Sequence, residues 1–259
     1  MSPLTAPAPR SVYSTDGLKL ATYEFGDPAA PTVLAMHGFA SSALANWHLT
    51  GWTRDLTRAG FRVIAIDQRG HGASDKPHSA DAYSMEALAD DVRQVLDAYL
   101  LDDVLYAGYS LGARVGWQAA HDFPERISRA VLGGIPDGDP LKRFQVADAR
   151  EHVERGTEVT DRLTGVYLKM AKAVPGNDLS ALIAVVEGLR GGTQPGPDNA
   201  PTQPILFATG SEDGIIDASQ ALAAVTPNGS FFEIPGRNHF NAPTSRQFRE
   251  AAIAFFTEA

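Results

Sequence analysis

The sequence predicts an α/β protein: a mostly parallel, doubly wound sheet of about eight strands, with helices on both faces and one helical insertion. Three observations predict it. Short apolar runs such as PTVLAM, FRVIAI and DVLYAGY are continuous rather than alternating, as expected of strands covered on both faces. Segments with helical spacing stand between these runs, which is the order of a parallel sheet built from strand–helix units. The alternation breaks at one place only, residues 137–200, where helical segments follow one another with no strand between them.

Each element has its own signal. Residues 1–10 are Pro-rich and read as a loose arm. Ser11–Tyr13 and Leu18–Tyr23 flank Asp16-Gly17, a hairpin signal. Pro31–Met36 is a buried strand ending at His37-Gly38. Trp52–Ala59 is helical and closed by Gly60, and Phe61–Ile66 is a buried strand that runs into Asp67. Ser84 is placed to cap a helix whose apolar positions, Met85, Leu88, Val92, Val95, Leu96 and Tyr99, share one face. Asp103–Tyr109 is a strand, Leu111–His121 a helix with Pro124 just beyond it, and Ser128–Gly133 the next strand. Within the insertion, Leu141–Val153, Val159–Ala173 and Leu179–Leu189 are the helical segments, followed by the Gly/Pro-rich stretch GGTQPGPDNAP. Pro204–Thr209 and Ser230–Ile234 complete the strands, and Ser245–Thr257 is an amphipathic closing helix. Residues 1–136 and 201–259 are therefore expected to form one core domain, interrupted by an insertion over 137–200.

Composition excludes several classes. The chain has 259 residues, 44% hydrophobic and 20% charged, which suits a globular protein able to bury a core without staples. It has no cysteine, so disulfides, thiolate metal ligands and cysteine nucleophiles are out. No HExxH or other metal-ligand spacing occurs, and Gly70-His-Gly72 lacks the third glycine and helix start of a dinucleotide fingerprint. No metal and no cofactor are therefore expected. The net charge is −9 with no basic footprint, which argues against nucleic acid. No run approaches the roughly 18 apolar residues of a membrane span. MSPLTAPAPR contains no apolar leader, and with the absence of cysteine this gives a cytoplasmic expectation. Asn228-Gly-Ser230 matches a glycosylation sequon but reads as a turn. The expected partner is a small-molecule substrate, and oligomeric state is not legible.

The chemistry centres on Gly108-Tyr109-Ser110-Leu111-Gly112, a G-x-S-x-G pentapeptide. An apolar strand runs into it and a helix leaves it, the setting in which a serine is held on a sharp turn with its Oγ exposed. A serine hydroxyl needs a base, and His239, in the loop after the last strand, is the candidate. His37 and His71 compete, but both stand in Gly-rich segments, where a buried, hydrogen-bonded loop anchor is the better reading. The base needs an orienting carboxylate. Asp213, after the strand Pro204–Thr209, is the first choice, and Asp137, after the strand ending at Gly133, competes with it. A developing oxyanion needs two fixed donors, for which the backbone N–H groups of Leu111 and Phe39 are the candidates. Phe39, Tyr109, Leu163, Tyr167 and Met170 are candidate substrate contacts, although at helical spacing the last three suit the core of the insertion equally well.

His37-Gly38-Phe39, Asp67-Gln-Arg-Gly-His-Gly-Ala-Ser74, Gly108-Tyr-Ser-Leu-Gly112, Gly210-Ser-Glu-Asp213 and Gly236-Arg-Asn-His239-Phe240 together resemble, in order and spacing, the landmarks of the α/β-hydrolase superfamily. The resemblance covers nearly the whole chain and is weakest in the insertion. It implies a Ser110–Asp213–His239 triad, a helical cap formed by the insertion, and cofactor-free hydrolysis of an ester, thioester or lactone, as in the esterase-like branch. Serine at the nucleophile position departs from the haloalkane dehalogenases and epoxide hydrolases, which carry aspartate there. A triad-bearing small-molecule receptor, a perhydrolase and a hydroxynitrile-lyase-like enzyme remain open, because fold alone does not decide among them.

Overall fold

Alternate side chains of the apolar runs face two separate cores, and this makes those runs the central strands. The computed structural model describes residues 6–258, so residues 1–5 of the N-terminal arm lie outside it. Eight strands form one sheet: β1 (Arg10–Tyr13), β2 (Lys19–Phe25), β3 (Thr32–Met36), β4 (Arg62–Asp67), β5 (Val104–Tyr109), β6 (Ile127–Gly133), β7 (Ile205–Gly210) and β8 (Gly229–Ile234). Their order is β1-β2-β4-β3-β5-β6-β7-β8. The pairs β1–β2 and β2–β4 are antiparallel and all others parallel. Leu34, Met36, Ile64, Ile66, Tyr106 and Phe207 enter one core, while Val33, Ala35, Val63, Ala65, Ala107 and Ala208 enter the other.

Helices α1 (Trp52–Arg58), α2 (Met85–Ala98) and α3 (Leu111–Asp122) follow β3, β4 and β5. The insertion holds α4 (Val146–Arg155), α5 (Arg162–Ala173) and α6 (Leu179–Leu189), and α7 (Ile216–Val225) and α8 (Arg246–Thr257) follow β7 and β8. Apolar residues of α2, α3 and α7 share the first core and those of α1 and α8 the second, so the sheet is covered on both faces. Ser84 caps α2 by accepting the Ala87 N–H at 3.1 Å, and Ser245 caps α8. The chain leaves β3 for β4 on one side, then returns past β3 to β5. The C-terminal ends of β3 and β5 thus meet at the switch point, where open α/β sheets have their crevice.

Three of the α-helical segments differ from the sequence reading. The helix expected over Leu141–Val153 is divided into a short turn, Pro140–Arg143, and α4, because Phe144 takes an extended conformation and buries its ring. Helix α5 starts at Arg162, not Val159, because the Asp161 carboxylate accepts the Thr164 N–H at 2.8 Å and sets the N-terminus there. Helix α7 was not anticipated at all. Among the insertion helices, α6 buries most of its length against α4, the turn at residues 80–83 and the first core, whereas α4 buries Ala149 and α5 buries Thr164, Leu168 and Ala171. Among the described residues, no helix is long and apolar enough to cross a membrane.

Candidate active site

Strand β5 delivers Ser110 to the first turn of α3 with φ 53° and ψ −110°, a left-handed conformation that a residue with a side chain adopts only when its surroundings hold it there. The Ser110 N–H donates to the Gly133 carbonyl at 2.8 Å, and the Ser110 carbonyl accepts the Arg114 N–H at 3.0 Å. The flanking glycines are a packing requirement. A Cβ on Gly112 would collide with the Met36 carbonyl of β3, and one on Gly108 with the backbone of Gly112. Behind the turn, the Tyr106 hydroxyl donates to the Gly112 carbonyl at 2.7 Å.

Two later strand ends complete a hydrogen-bonded chain. His239 Nε2 lies 2.9 Å from Ser110 Oγ, and His239 Nδ1 lies 2.8 Å from Asp213 Oδ2. Asp213 is buried just after β7, where its Oδ1 accepts the Ile215 N–H at 3.2 Å. The half-buried His239 stands in a loop folded by Asn238 and Asn241, and the Tyr109 hydroxyl donates to its carbonyl at 2.6 Å. The carboxylate in contact with this imidazole is therefore Asp213. Asp137 is exposed on the wall of a cavity.

The loop after β3 approaches Ser110 closely: a Cβ on Gly38 would stand 3.3 Å from Ser110 Cβ. The described hydrogen bonds give no acceptor to the N–H of Phe39 or of Leu111. The rest of the loop is pinned from behind. His37 Nδ1–H donates to the Gly38 carbonyl at 2.7 Å, and His37 Nε2 accepts the Gln68 N–H at 3.1 Å. The Ala40 N–H donates to His71 Nε2 at 3.1 Å, and the Ala43 N–H donates to Asp67 Oδ1 at 2.7 Å. Burial holds the His37 imidazole down to about 4 and the His71 imidazole down to about 3, so both are neutral anchors near pH 7. Burial pushes the Asp67 carboxyl upward against the pull of the Ala73 and Ala43 N–H groups.

Two cavities open onto Ser110, His239, Phe39, Tyr167 and Phe240. The smaller, about 110 Å³, has Ala45, Asn46, Tyr109 and Met170 in its wall. The larger, about 680 Å³, is walled by Leu111, Leu163, Ile215, Arg143, Arg162 and Asp137, among others. The rings of Phe39 and Tyr167 meet edge to face at 5.3 Å between centroids, and those of Tyr167 and Phe240 at 5.8 Å, so α5 touches the loops after β3 and β8 directly. The five candidate substrate contacts thus all line one cavity or both, and Tyr109 also supports the His239 backbone. Sequence reasoning missed Asn46, whose Oδ1 accepts the Gly38 N–H at 3.4 Å, and Asn177, whose Nδ2 donates to the Ala40 carbonyl at 3.0 Å. Neither has a spacing signal that could have found it. Among the described residues, no group of three His, Asp or Glu is arranged to hold a metal ion.

A family model described as "alpha/beta hydrolase fold" matches residues 31–155. The AB hydrolase superfamily protein YfhM of Bacillus subtilis is 26% identical over 88% of this chain and 90% of its own length. Epoxide hydrolase A of Mycobacterium tuberculosis is 34% identical over 54% of this chain, a match that spans 42% of the relative. Among solved structures, the enol-lactonase of Burkholderia xenovorans superposes with a TM-score of 0.78 at 20% identity, covering 96% of this chain and all of that one.

Proposed function

We propose that this chain, which belongs to the α/β-hydrolase fold superfamily, is a serine hydrolase that cleaves a carboxylic ester through an acyl-enzyme. The single observation that carries the reading is the hydrogen-bonded chain Ser110 Oγ–His239–Asp213 on a strained strand–helix turn. In the first step Ser110 Oγ bonds to the substrate carbonyl carbon while His239 Nε2 takes its proton. Asp213 holds the ring with Nδ1 protonated and stabilises the imidazolium that forms. The carbonyl oxygen takes the negative charge against the N–H groups of Phe39 and Leu111. Collapse of that intermediate breaks the ester C–O bond as His239 returns the proton to the leaving alcohol. Water, deprotonated by His239, then attacks the acyl-enzyme, and Ser110 leaves with the proton restored.

The relative named as an epoxide hydrolase raises a second chemistry, and the nucleophile argues against it here. A carboxylate that opens an epoxide forms an ester, which water can cleave. Ser110 would form an ether, which this machinery has no means to hydrolyse.

The two cavities support a substrate with one short arm and one larger arm on either side of the scissile carbonyl. The larger wall mixes apolar side chains with Arg143, Arg162 and Asp137, so the larger arm need not be purely apolar. The helical insertion supplies Leu163, Tyr167 and Met170 to these walls and is assigned the role of a substrate-selecting cap.

The test is turnover of a panel of p-nitrophenyl esters, lactones and thioesters, with Ser110→Ala as control. Ser110→Ala should remove activity by a factor on the order of a million, as loss of the nucleophile does in serine proteases. A fluorophosphonate should label Ser110 of the wild type. Labelling elsewhere, or turnover that survives the substitution, rejects the reading. A stoichiometric burst without turnover identifies a receptor instead.

A further inference from the structure

Asn177 lies in the turn between α5 and α6, outside the catalytic core, yet its side chain reaches two core loops. Its Nδ2 donates to the Ala40 carbonyl at 3.0 Å, and its Oδ1 accepts the Gly72 N–H at 3.0 Å. Those partners are 137 and 105 residues distant in sequence, so one amide ties the insertion to the loops after β3 and β4. The turn sits tightly on the second loop, since a Cβ on Gly176 would come within 2.7 Å of the Gly72 carbonyl oxygen.

What Asn177 grips is a strained residue. Ala40 has φ 60°, in the left-handed region, where a residue with a Cβ stays only when its surroundings over-determine it. Its N–H is taken by His71 Nε2 and its carbonyl by Asn177 Nδ2. Three of the four N–H groups in residues 38–41 have acceptors: Gly38 on Asn46 Oδ1, Ala40 on His71 Nε2, and Ser41 on the Gly38 carbonyl. The fourth, the Phe39 N–H, has none among the described hydrogen bonds. It belongs to the residue immediately before the strained one.

We infer that Asn177 is a positioning residue: by holding the Ala40 carbonyl it keeps the Phe39 N–H aimed at the oxyanion, so the insertion contributes to bond-making as well as to substrate choice. The inference rests on the reading of Phe39 N–H as an oxyanion donor. Without Asn177, Ala40 can relax toward ordinary negative φ. That relaxation turns the Phe39–Ala40 peptide and, through Phe39, tilts the adjoining Gly38–Phe39 peptide that carries the donor. A donor displaced from an oxyanion loses most of its value in the transition state and little in the ground state, because the charge exists only in the former.

Two variants separate this role from simple docking of the insertion. Asn177→Leu removes both hydrogen bonds. Asn177→Asp keeps an acceptor for the Gly72 N–H and turns a carboxylate toward the Ala40 carbonyl. Both should lower kcat about 10- to 100-fold, less than outright loss of an oxyanion donor, while KM stays within about threefold. A trifluoromethyl ketone, which adds to a nucleophilic serine as a tetrahedral oxyanion, should lose affinity by the same factor as kcat/KM. Thermal melting establishes that each variant is folded, and if Asn177→Leu is not, Asn177→Asp decides. A folded variant with kcat within twofold of wild type overturns the inference. So does an Asn177→Asp that stays active while Asn177→Leu does not, or a loss confined to KM. Failure of the underlying reading looks different: wild-type turnover that does not depend on Ser110 overturns both, whereas Ser110-dependent turnover indifferent to Asn177 overturns this inference alone.

Discussion

At the scale of single residues, the contact between His239 Nδ1 and Asp213 Oδ2, 2.8 Å, determines which ring nitrogen is free to act. A carboxylate accepts only, so it fixes the proton on Nδ1 and leaves Nε2, 2.9 Å from Ser110 Oγ, as the acceptor. An asparagine amide in the same place can donate, which favours the opposite tautomer and removes the base from Ser110. Asp213→Asn should therefore lower kcat/KM on the order of ten-thousand-fold, as the equivalent change does in serine proteases, with the fold intact. Asp137→Asn, at an exposed position, should leave kcat/KM within a few-fold. Steady-state kinetics of the two variants decide the matter, and the reverse ranking would move the acid to the end of β6. Residues of this kind were legible because backbone requirements mark them. The turn around Ser110 tolerates nothing larger than glycine at 108 and 112, and Asp213 and His239 each follow an apolar run. Asn46 and Asn177 act through side-chain amides on loops remote in sequence, so no local pattern betrays them.

At the scale of elements, the insertion is not uniform. Helix α6 packs so closely that a Cβ on Gly188 would collide with the Ala80 and Tyr83 carbonyls, and Leu182–Val186 lie in the first core. Helix α5 is more exposed and turns Leu163, Tyr167 and Met170 toward the cavities. If α5 selects substrate, Leu163→Ala, Tyr167→Ala and Met170→Ala should shift the preferred acyl or alcohol length in a p-nitrophenyl ester series. Reactivity toward p-nitrophenyl acetate, an activated ester whose acyl group is too short to exploit those walls, should stay within about threefold. A large drop in melting temperature with an unchanged substrate profile would make α5 scaffold instead. The counterpart experiment on α6, Gly188→Ala, should destabilise the fold by at least about 1–3 kcal/mol through overpacking, read by urea unfolding. Continuous apolar runs made the strands legible to within two residues at most ends, as at β3 and β6. The insertion was harder. Phe144 reads as one more apolar helical position, yet burying its ring requires an extended backbone that ends the turn at Arg143. Helix α7, IDASQALAAV, buries only Ser219, Leu222 and Ala223, too narrow a stripe for periodicity to reveal.

At the scale of the whole molecule, the two imidazoles behind the candidate site link its geometry to global stability in acid. Burial holds His37 down to about 4 and His71 down to about 3, while an unfolded histidine titrates near 6.5. Between those values the unfolded chain takes up protons that the folded chain refuses. The stabilisation is thus fully present above about pH 6.5 and is lost as pH falls toward 4, at up to about 1.4 kcal/mol per pH unit for each imidazole. Asp91 acts in the opposite sense. Burial pushes its carboxyl up to about 6 despite Arg69, so between about 6 and the ordinary aspartate range it retains a proton in the folded state. Asp67, also pushed up by burial, acts with Asp91. Asp16, Asp55 and Asp178, whose hydrogen bonds and ion pairs outweigh burial and hold them below the usual carboxylate range, act with the histidines, and the net effect expected is destabilisation by acid. Urea unfolding at pH 7, 6 and 5 should show stability falling across the series. His71→Gln retains an acceptor for the Ala40 N–H and cannot titrate, so its slope should be shallower by about one imidazole's share. The loss also has a place in the structure. Protonated His71 carries N–H on both nitrogens, and the one at Nε2 would face the Ala40 N–H as donor against donor. Between pH 6 and 5 His71 therefore takes its proton only where this loop has opened, and acid favours that opening. Acid should therefore loosen the Phe39–Ala40 loop first, and hydrogen exchange at Ala40 should accelerate between pH 6 and 5, beyond the intrinsic pH dependence, before the amides of β3 and β5 follow. Protection at Ala40 that persists until the sheet itself opens would separate the histidines' contribution to stability from the loop they hold.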